Sequence, residues 1–233
     1  MQFDIVKKIN FEKSFRNQSI VGMFDLQDIN YTEKFSGSID LNYKKWNIGL
    51  IVGASGTGKT TIAKQCFSEY VVTEYNFDNK KSVIDCMPEN RSVKEITEIF
   101  SKVGFSSPPS WLKPYEVLSN GEKMRVELAY NLLSEKDIFA FDEFTSMVDR
   151  QVAKITSTCI SNVISKLNKK FIAIACHYDI IEWLQPDWIF DTNKMQFFFT
   201  QKQEDQKLNS KYMKHQMLTK KNIIGNYLAN III

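Results

Sequence analysis

The chain has 233 residues, of which 43% are hydrophobic and 24% are charged, and its formal net charge is +3. The 17 Phe, 9 Tyr and 4 Trp need a core to pack in, which excludes disorder as the main state. So small a positive excess does not by itself indicate a nucleic-acid or membrane surface. Four scattered cysteines without a CxxC pair, and only two histidines, exclude a disulfide framework and a zinc site. We therefore expect a reduced, cytoplasmic protein.

The distribution of charge predicts two parts of unequal size. Residues 1–200 have a net charge of −1, whereas residues 201–233 carry six lysines against two acidic residues. We expect a near-neutral domain over 1–200 and a basic C-terminal tail of unassigned fold over 201–233. Lysines of the tail are compatible with acidic partners or nucleic acid, although a solvated end is the simpler interpretation.

Strands and helices alternate along most of the chain. An antiparallel entry region with short strands at 17–26 and 36–41 is predicted first, followed by an apolar strand at 47–52 and a helix from Lys59 to Tyr70. The next predicted elements are strands at 70–73 and 82–85, a helix at 92–104, an extended proline-rich connection at 108–118, a helix at 120–134, a strand at 138–142, a helix at 150–168, a strand at 171–176, a helix at 178–184 and a hairpin of 189–191 with 195–200. This order indicates an α/β fold whose mainly parallel sheet is covered by helices on both faces.

Residues 53–60 satisfy the phosphate-loop pattern G-x-x-x-x-G-K-[ST] between a predicted strand and a predicted helix. The glycines let the backbone curl so that N–H groups face phosphate oxygens, and the helix adds the positive end of its dipole. In such loops the lysine, here Lys59, reaches the β- and γ-phosphates, and the hydroxyl of Thr60 ligates Mg²⁺. The residues expected to bind the nucleotide are Gly53, Ala54, Ser55, Gly56, Thr57, Gly58, Lys59, Thr60 and Thr61.

The apolar strand predicted at 138–142 ends in two carboxylates, Asp142 and Glu143. Burial of this strand puts Asp142 at the C-terminal edge of the sheet, where it can hold Mg²⁺ directly or through water. Glu143 is then placed to polarise the water that attacks the γ-phosphate. Carboxylates after a strand are often only helix caps or turn residues, but an upstream phosphate loop favours the functional interpretation.

Leu118-Ser119-Asn120-Gly121-Glu122 opens the helix predicted at 120–134, and Ser119 with Glu122 forms the pattern of a capping box. The same residues resemble the signature LSGGQ of ABC-class P-loop ATPases, with Asn120 for the first glycine and Glu122 for glutamine. Ser146-Met147-Val148-Asp149 resembles the D-loop of that family, and His177 resembles its switch histidine. These motifs and the two described above occur in the family's order over residues 47–180.

The resemblance implies a helical subdomain, here reduced and expected at about 86–134, beside an antiparallel N-terminal β region. It also implies that two ATP molecules with Mg²⁺ are held between two head-to-tail subunits, either a homodimer or a pair of related ABC subunits. Glu143 would activate water and His177 would hold it in line, so these two residues and Lys59 are the expected catalytic residues. The signature residues that would meet the γ-phosphate across the interface are Ser119, Asn120, Gly121 and Glu122, with Asp149 in the D-loop.

The chain departs from transporter subunits of this family in two respects. Between Thr61 and Leu118 the only glutamine is Gln65, directly after the phosphate loop, so the family's Q-loop glutamine has no counterpart. Asp85, at the end of the strand predicted at 82–85, is a candidate substitute that would ligate Mg²⁺. The reduced helical subdomain also weakens the surface that would dock on a membrane domain.

These departures favour a soluble ABC ATPase that binds and hydrolyses Mg-ATP as a dimer. One alternative is the ATP-binding subunit of a membrane transporter. Another is an ATP-gated switch with little turnover that acts on nucleic acid or in a defence complex.

Residues 141–150 and 176–191 resemble a narrower group of soluble ABC-type ATPases that are sometimes joined to a predicted acetyltransferase domain. Too few residues follow Asp191 for such a domain, so no acyl transfer is expected. An aromatic residue that stacks on adenine is expected upstream of the phosphate loop, and Tyr31 and Phe35 are both candidates.

Overall fold

The computed structural model of the protein describes residues 1–9, 11–26, 31–42, 44–72 and 74–200. The predicted tail, 201–233, lies outside these residues. The strands are β1 (Gln2–Ile9), β2 (Tyr31–Ser38), β3 (Ile48–Val52), β4 (Val71–Val72), β5 (Ile138–Phe141), β6 (Lys170–Ala175), β7 (Trp188–Asp191) and β8 (Gln196–Phe199). The helices are α1 (Phe15–Met23), α2 (Lys59–Phe67), α3 (Val93–Lys102), α4 (Pro108–Trp111), α5 (Asn120–Leu133), α6 (Arg150–Ile164) and α7 (Ile180–Leu184).

A six-stranded sheet with the order β4-β5-β6-β3-β7-β8 forms the centre of the protein. Its first five strands pair in parallel, and β8 closes one edge antiparallel to β7. Successive side chains of β3 point to opposite faces: Leu50 packs in the cluster with α3, α5 and α6, and Ile51 packs with α2 and the N-terminal strands. The predicted α/β fold, with a mainly parallel sheet covered on both faces, is confirmed.

The predicted antiparallel N-terminal region is also confirmed, but its strands are not those expected. β1 pairs with β2 from Gln2 opposite Ser38 to Ile9 opposite Tyr31. The strand expected at 17–26 is wrong, because this segment forms α1. Ser14 begins that helix as its N-cap, and its hydroxyl accepts a hydrogen bond from the backbone N–H of Asn17 (3.2 Å).

The helical region contains one prediction that held and two that failed. α3 begins at Ser92 with a complete capping box to Glu95, as the sequence pattern indicates. The strand expected at 82–85 is instead a turn, in which the backbone N–H of Asp85 donates to the carbonyl of Ser82 (3.1 Å). The proline-rich connection is not extended throughout, because Pro108 starts α4 and a 3₁₀ turn covers Tyr115–Val117.

The C-terminal half follows the predicted order of helices and strands, with α6 ending four residues before the expected limit at 168. β7 and β8 form the expected hairpin. None of the helices in the described ranges is long and apolar enough to span a membrane.

Candidate nucleotide-binding site

The strand order brings the predicted motifs together at one edge of the sheet. The phosphate loop follows β3, Asp142 and Glu143 follow β5, and His177 lies two residues beyond β6. Because β6 lies between β5 and β3 and all three run parallel, these segments leave the sheet at the same end. The electrostatics of Lys59 reflect this proximity. Burial lowers the pKa of its ammonium, while Cys176, Asp142 and Glu143 act in the opposite direction.

The phosphate loop is closed on itself by its own side chains. The ammonium of Lys59 donates to the carbonyl oxygen of Ala54 (2.7 Å), and the hydroxyl of Thr57 donates to the same oxygen (2.8 Å). Gly58 has φ of 80°, a left-handed conformation that favours glycine, and the ring of Phe35 lies where a side chain at this position would be. Ser55 and Gly56 form the exposed crest of the loop.

α2 starts directly after Gly58, so Thr60 and Thr61 lie in its first turn with Lys59. The first backbone hydrogen bond of the helix runs from the N–H of Ile62 to the carbonyl of Gly58 (2.8 Å). The N–H groups before Ile62 have no partner within the helix and face the loop, which is the arrangement that binds anions at helix N-termini.

The acidic turn after β5 has an unusual backbone. Asp142 is half-buried and Glu143 is exposed, and the backbone N–H of Glu143 donates to Oδ1 of Asp142 (2.9 Å). Glu143 has φ of 51° and Thr145 has φ of 64°, both in the left-handed region that residues other than glycine seldom adopt. Buried Phe144 holds the turn in place, because its N–H donates to the carbonyl of Ile174 in β6 (2.8 Å). Strain of this kind concentrates at functional sites.

Oxygen ligands for Mg²⁺ are available at this edge. Within the described ranges there is no group of three His, Cys, Asp or Glu side chains that could hold a metal ion. Mg²⁺ does not need such a group, because it is usually bound by one or two protein oxygens together with substrate phosphates and water. The hydroxyl of Thr60 and the carboxylate of Asp142 fit that donor set.

His177 lies in a half-buried segment between β6 and α7. Its neighbour Cys176 contacts the hydroxyl of Ser146, at 3.5 Å between sulfur and oxygen, which joins this segment to the turn after β5.

Sequence reasoning did not identify two residues after β7 that hydrogen-bond to the phosphate loop. Thr192 shares a hydrogen bond with Thr57 (2.6 Å between hydroxyl oxygens), and Asn193 accepts one from the backbone N–H of Ala54 (3.2 Å). The sequence pattern at these two positions indicates only a hairpin turn.

The signature residues form the N-terminus of α5. Ser119 is the N-cap, and its backbone N–H and hydroxyl both donate to the carboxylate of Glu122 (3.0 and 2.8 Å). Asn120 is exposed, and Gly121 faces the side chains of Val148 and Val152. The capping box read from the sequence is present. The D-loop residue Asp149 similarly caps α6, accepting from the N–H groups of Gln151 and Val152 (both 2.9 Å).

Three further candidate residues have less structural support. Asp85 lies in the turn that replaced the predicted strand, and its carboxylate accepts from the hydroxyl of Ser82 (2.5 Å), so no strand carries it to the sheet edge. Phe35 is buried between Phe3 and the phosphate loop and packs there as a core residue. Tyr31 lies in β2, and its side chain is outside the described part of the protein.

Comparison with known proteins identifies the class of this site. No protein-family model matches the chain. Over 220 residues it is 24% identical to the energy-coupling factor transporter ATP-binding protein EcfA1 of Staphylococcus aureus, covering 78% of this chain and 76% of the relative. It is 26% identical to the zinc import ATP-binding protein ZnuC of Rickettsia bellii, covering 52% and 62%. Other curated relatives are longer, and the chain spans between 12% and 23% of their length.

A solved structure with a similar fold is the dimeric ATP-binding cassette MJ0796 in a post-hydrolysis state bound to ADP and Pi. The TM-score is 0.56 at 12% identity, over 82% of this chain and 92% of MJ0796. The fold is that of a P-loop NTPase of the ABC type. The chain is thus similar in sequence to ATP-binding proteins of ABC transporters and has the fold of an ABC-type cassette, in line with the order of its motifs. The narrower resemblance to proteins joined to acetyltransferase domains stays a prediction.

Proposed function

We propose that the protein binds Mg-ATP and hydrolyses it to ADP and phosphate. The observation that carries this proposal is the convergence of Lys59, Asp142 and Glu143 at the same end of β3 and β5, the two strands that flank β6. It is reflected in the electrostatic influence of both carboxylates on the lysine. A phosphate loop alone supports nucleotide binding. A phosphate loop beside an exposed carboxylate on a strained turn also supports activation of a water molecule.

Each residue has a distinct role in the proposed reaction. Lys59 and the N–H groups of the loop and of α2 bind and orient the phosphate oxygens. Thr60 and Asp142 hold Mg²⁺, which neutralises charge on the phosphates when it is bound. Glu143 accepts a proton from the attacking water, and His177 holds that water in line with the γ-phosphate. We give Asp85 no role in this mechanism, because the turn at 82–85 provides no strand end to present it.

The active form is proposed to be a dimer with ATP between its subunits. Ser119 and Glu122 form a capped helix N-terminus at the protein surface, a position at which backbone N–H groups and the helix dipole favour an anion. The dimeric solved structure of MJ0796, whose fold is similar, supports a partnership with a second cassette, either the same chain or a related one.

Replacing Glu143 by Gln tests both hydrolysis and dimerisation. We expect turnover to fall by at least about 100-fold, the usual contribution of a general base, while ATP binding is retained. ATP should then stabilise a species of about twice the 27.1 kDa chain mass in size-exclusion chromatography with light scattering. Glu98→Gln on the exposed face of α3 is the matched control and should behave as wild type. Unchanged turnover in Glu143→Gln contradicts the role of this residue, and a monomer under all nucleotide conditions contradicts the dimer.

A second candidate function is that of the ATP-binding subunit of a membrane transporter. Two curated relatives, EcfA1 and ZnuC, carry that description in their names. The helical region also leaves three apolar side chains exposed, namely Val93, Leu112 and Val117. This function predicts that the protein purifies with a membrane protein and that Leu112→Ser weakens the association. An ATPase rate that is unaffected by a membrane fraction argues against it.

We also propose that residues 1–200 form the complete ATPase domain and that 201–233 are a separate tail. The charge distribution supports this division, because residues 1–200 have a net charge of −1 and residues 201–233 carry six lysines against two acidic residues. Deleting 201–233 should therefore leave ATP affinity unchanged in isothermal titration calorimetry. Loss of ATP binding in the shortened protein would show that the boundary is misplaced.

A further inference from the structure

The residue after His177 is hydrogen-bonded to the phosphate loop through a network that is partly buried. The hydroxyl of Tyr178 donates to Oδ1 of Asp191 (2.9 Å) and accepts from the side-chain amide of Asn193 (2.9 Å). The carbonyl oxygen of that amide accepts from the backbone N–H of Ala54 (3.2 Å). Asp191 is only 1% exposed, and its Oδ1 also accepts from the backbone N–H of Asn193 (2.9 Å). The network therefore connects the His177 segment directly to the second residue of the phosphate loop.

Asp179, which follows Tyr178 in the chain, is bound by an arginine next to the D-loop. The guanidinium of Arg150 donates to both carboxylate oxygens of Asp179, with 2.9 Å between Nε and Oδ2. Arg150 directly follows the D-loop residue Asp149, and its guanidinium carbon lies 5.2 Å from the ring centroid of Trp183. A two-point ion pair that also stacks on an aromatic ring fixes the orientation of both partners.

We propose that Tyr178 and Asp179 are positioning residues that hold His177 between the phosphate loop and the D-loop. The proposal rests on the proposed function, in which His177 acts at the γ-phosphate. Since residues 178 and 179 are held from two directions, the preceding backbone has little freedom to move. A displacement of the phosphate loop is passed to His177 through Asn193, and a displacement at the D-loop is passed to it through Arg150. The histidine thereby responds to both the nucleotide and the neighbouring segment.

Amide hydrogen exchange of the nucleotide-free protein tests the connection without requiring ATP turnover. Tyr178→Phe removes the hydroxyl and keeps the ring. We expect exchange in peptides covering 53–58 and 175–180 to accelerate about 3- to 10-fold, the loss that one typical hydrogen bond represents. Tyr130→Phe is the matched control, because its ring packs against Tyr75 and Phe77 away from this network. Exchange that is unchanged in Tyr178→Phe overturns the proposal.

Kinetics test whether the two residues act through the histidine. Tyr178→Phe should lower kcat about 3- to 10-fold with little change in KM, and it should have no further effect in a His177→Ala background. An equal fall in both backgrounds indicates a merely structural role and overturns the proposal. Asp179→Arg should also lower kcat, and the exchanged pair Arg150→Asp with Asp179→Arg should recover part of it. Failure of that recovery contradicts the role of Asp179.

The two sets of experiments separate this proposal from the proposed function. A wild-type protein that hydrolyses no ATP contradicts the function, and the exchange data then decide alone whether the network holds the His177 segment. A protein that hydrolyses ATP at rates unaffected by Tyr178→Phe retains the function and loses the positioning role.

Discussion

The phosphate-binding edge of the sheet and the N-terminal helix α1 both contain apolar side chains, but these are buried at the sheet edge and exposed to solvent in α1. At the sheet edge the acidic turn is fixed by Phe144, which is fully buried among Phe141 and Phe171. α1 buries none of its residues, and Phe15 is 84% exposed. Tertiary packing therefore determines the backbone of the acidic turn, whereas local hydrogen bonds hold α1. The difference indicates which parts of the protein tolerate substitution.

The largest expected difference in stability is between two variants, each of which replaces one phenylalanine in one of the two regions. Phe144→Ala should lower the free energy of unfolding by about 3–5 kcal/mol, because it leaves a cavity under the acidic turn. Phe15→Ala should change it by less than about 0.5 kcal/mol, as expected for an exposed site. Urea titration followed by fluorescence measures both variants. A large loss in Phe15→Ala would show that α1 is covered in solution and would remove the contrast.

Lys59→Met should show that the phosphate loop at the sheet edge has a function that a nearby exposed surface lacks. Loss of a charged hydrogen-bond donor to phosphate is expected to weaken ATP binding about 10- to 100-fold in calorimetry. Lys64→Met on the exposed side of α2 removes the same charge from the same helix and should leave the affinity unchanged. Similar losses in both variants would mean that general charge, rather than the loop, attracts the nucleotide.

Two glycine-to-alanine substitutions should have opposite signs. At Gly49 in β3 an added Cβ would lie 2.0 Å from the ring of Trp188, so Gly49→Ala should destabilise the protein by about 1–3 kcal/mol. At Gly22 in α1 nothing lies within 4 Å, so Gly22→Ala should stabilise the helix by about 0.5–1 kcal/mol. Thermal denaturation measures the first variant, and hydrogen exchange of the amides within α1 measures the second. A melting temperature that does not fall in Gly49→Ala contradicts the close packing of β7 on β3.

The smallest effect is expected from two N-caps. Ser92→Ala should lower the stability of the whole protein by about 1 kcal/mol, because α3 buries Ile96, Ile99 and Phe100. Ser14→Ala removes an equivalent cap from α1 but should accelerate hydrogen exchange only within that helix, with the melting temperature unchanged. Equal shifts of the melting temperature would indicate that α1 unfolds together with the core.

The sequence predicts well which strands and helices carry the phosphate loop and the acidic turn, because these motifs restrict both residue type and spacing. Lys59 must follow a glycine-rich turn at the start of a helix, and Asp142 must follow a buried strand. Both conditions can be read from the local pattern. The parallel direction of the strands follows from the same logic, because alternating strands and helices produce parallel strands whose carboxyl ends meet at one edge.

The sequence predicts α1 and the turn at 82–85 poorly, because the residue pattern of neither segment distinguishes the observed structure from a strand. Apolar residues in 17–26 resemble a strand when they are assumed to face a core, but α1 has no core contacts. Val83 is buried, as expected for a strand residue, but it lies in a turn. Its N–H donates to the carbonyl of Lys113 (2.9 Å) and not to a neighbouring strand of the sheet. The contacts of Tyr178 with Asp191 and Asn193 depend on tertiary structure, and no spacing rule indicates them.

The hydrogen bond from Lys59 to the carbonyl of Ala54 has a consequence for which anions can enter the loop. An incoming anion must draw the ammonium away from an internal acceptor, and such a charged hydrogen bond is worth about 1.5–3 kcal/mol. A chloride or a single phosphate makes fewer contacts with which to offset that loss than a polyphosphate, which can engage the lysine, the loop and the start of α2 together. We therefore expect the loop to favour polyphosphates over the small anions of the surrounding solution.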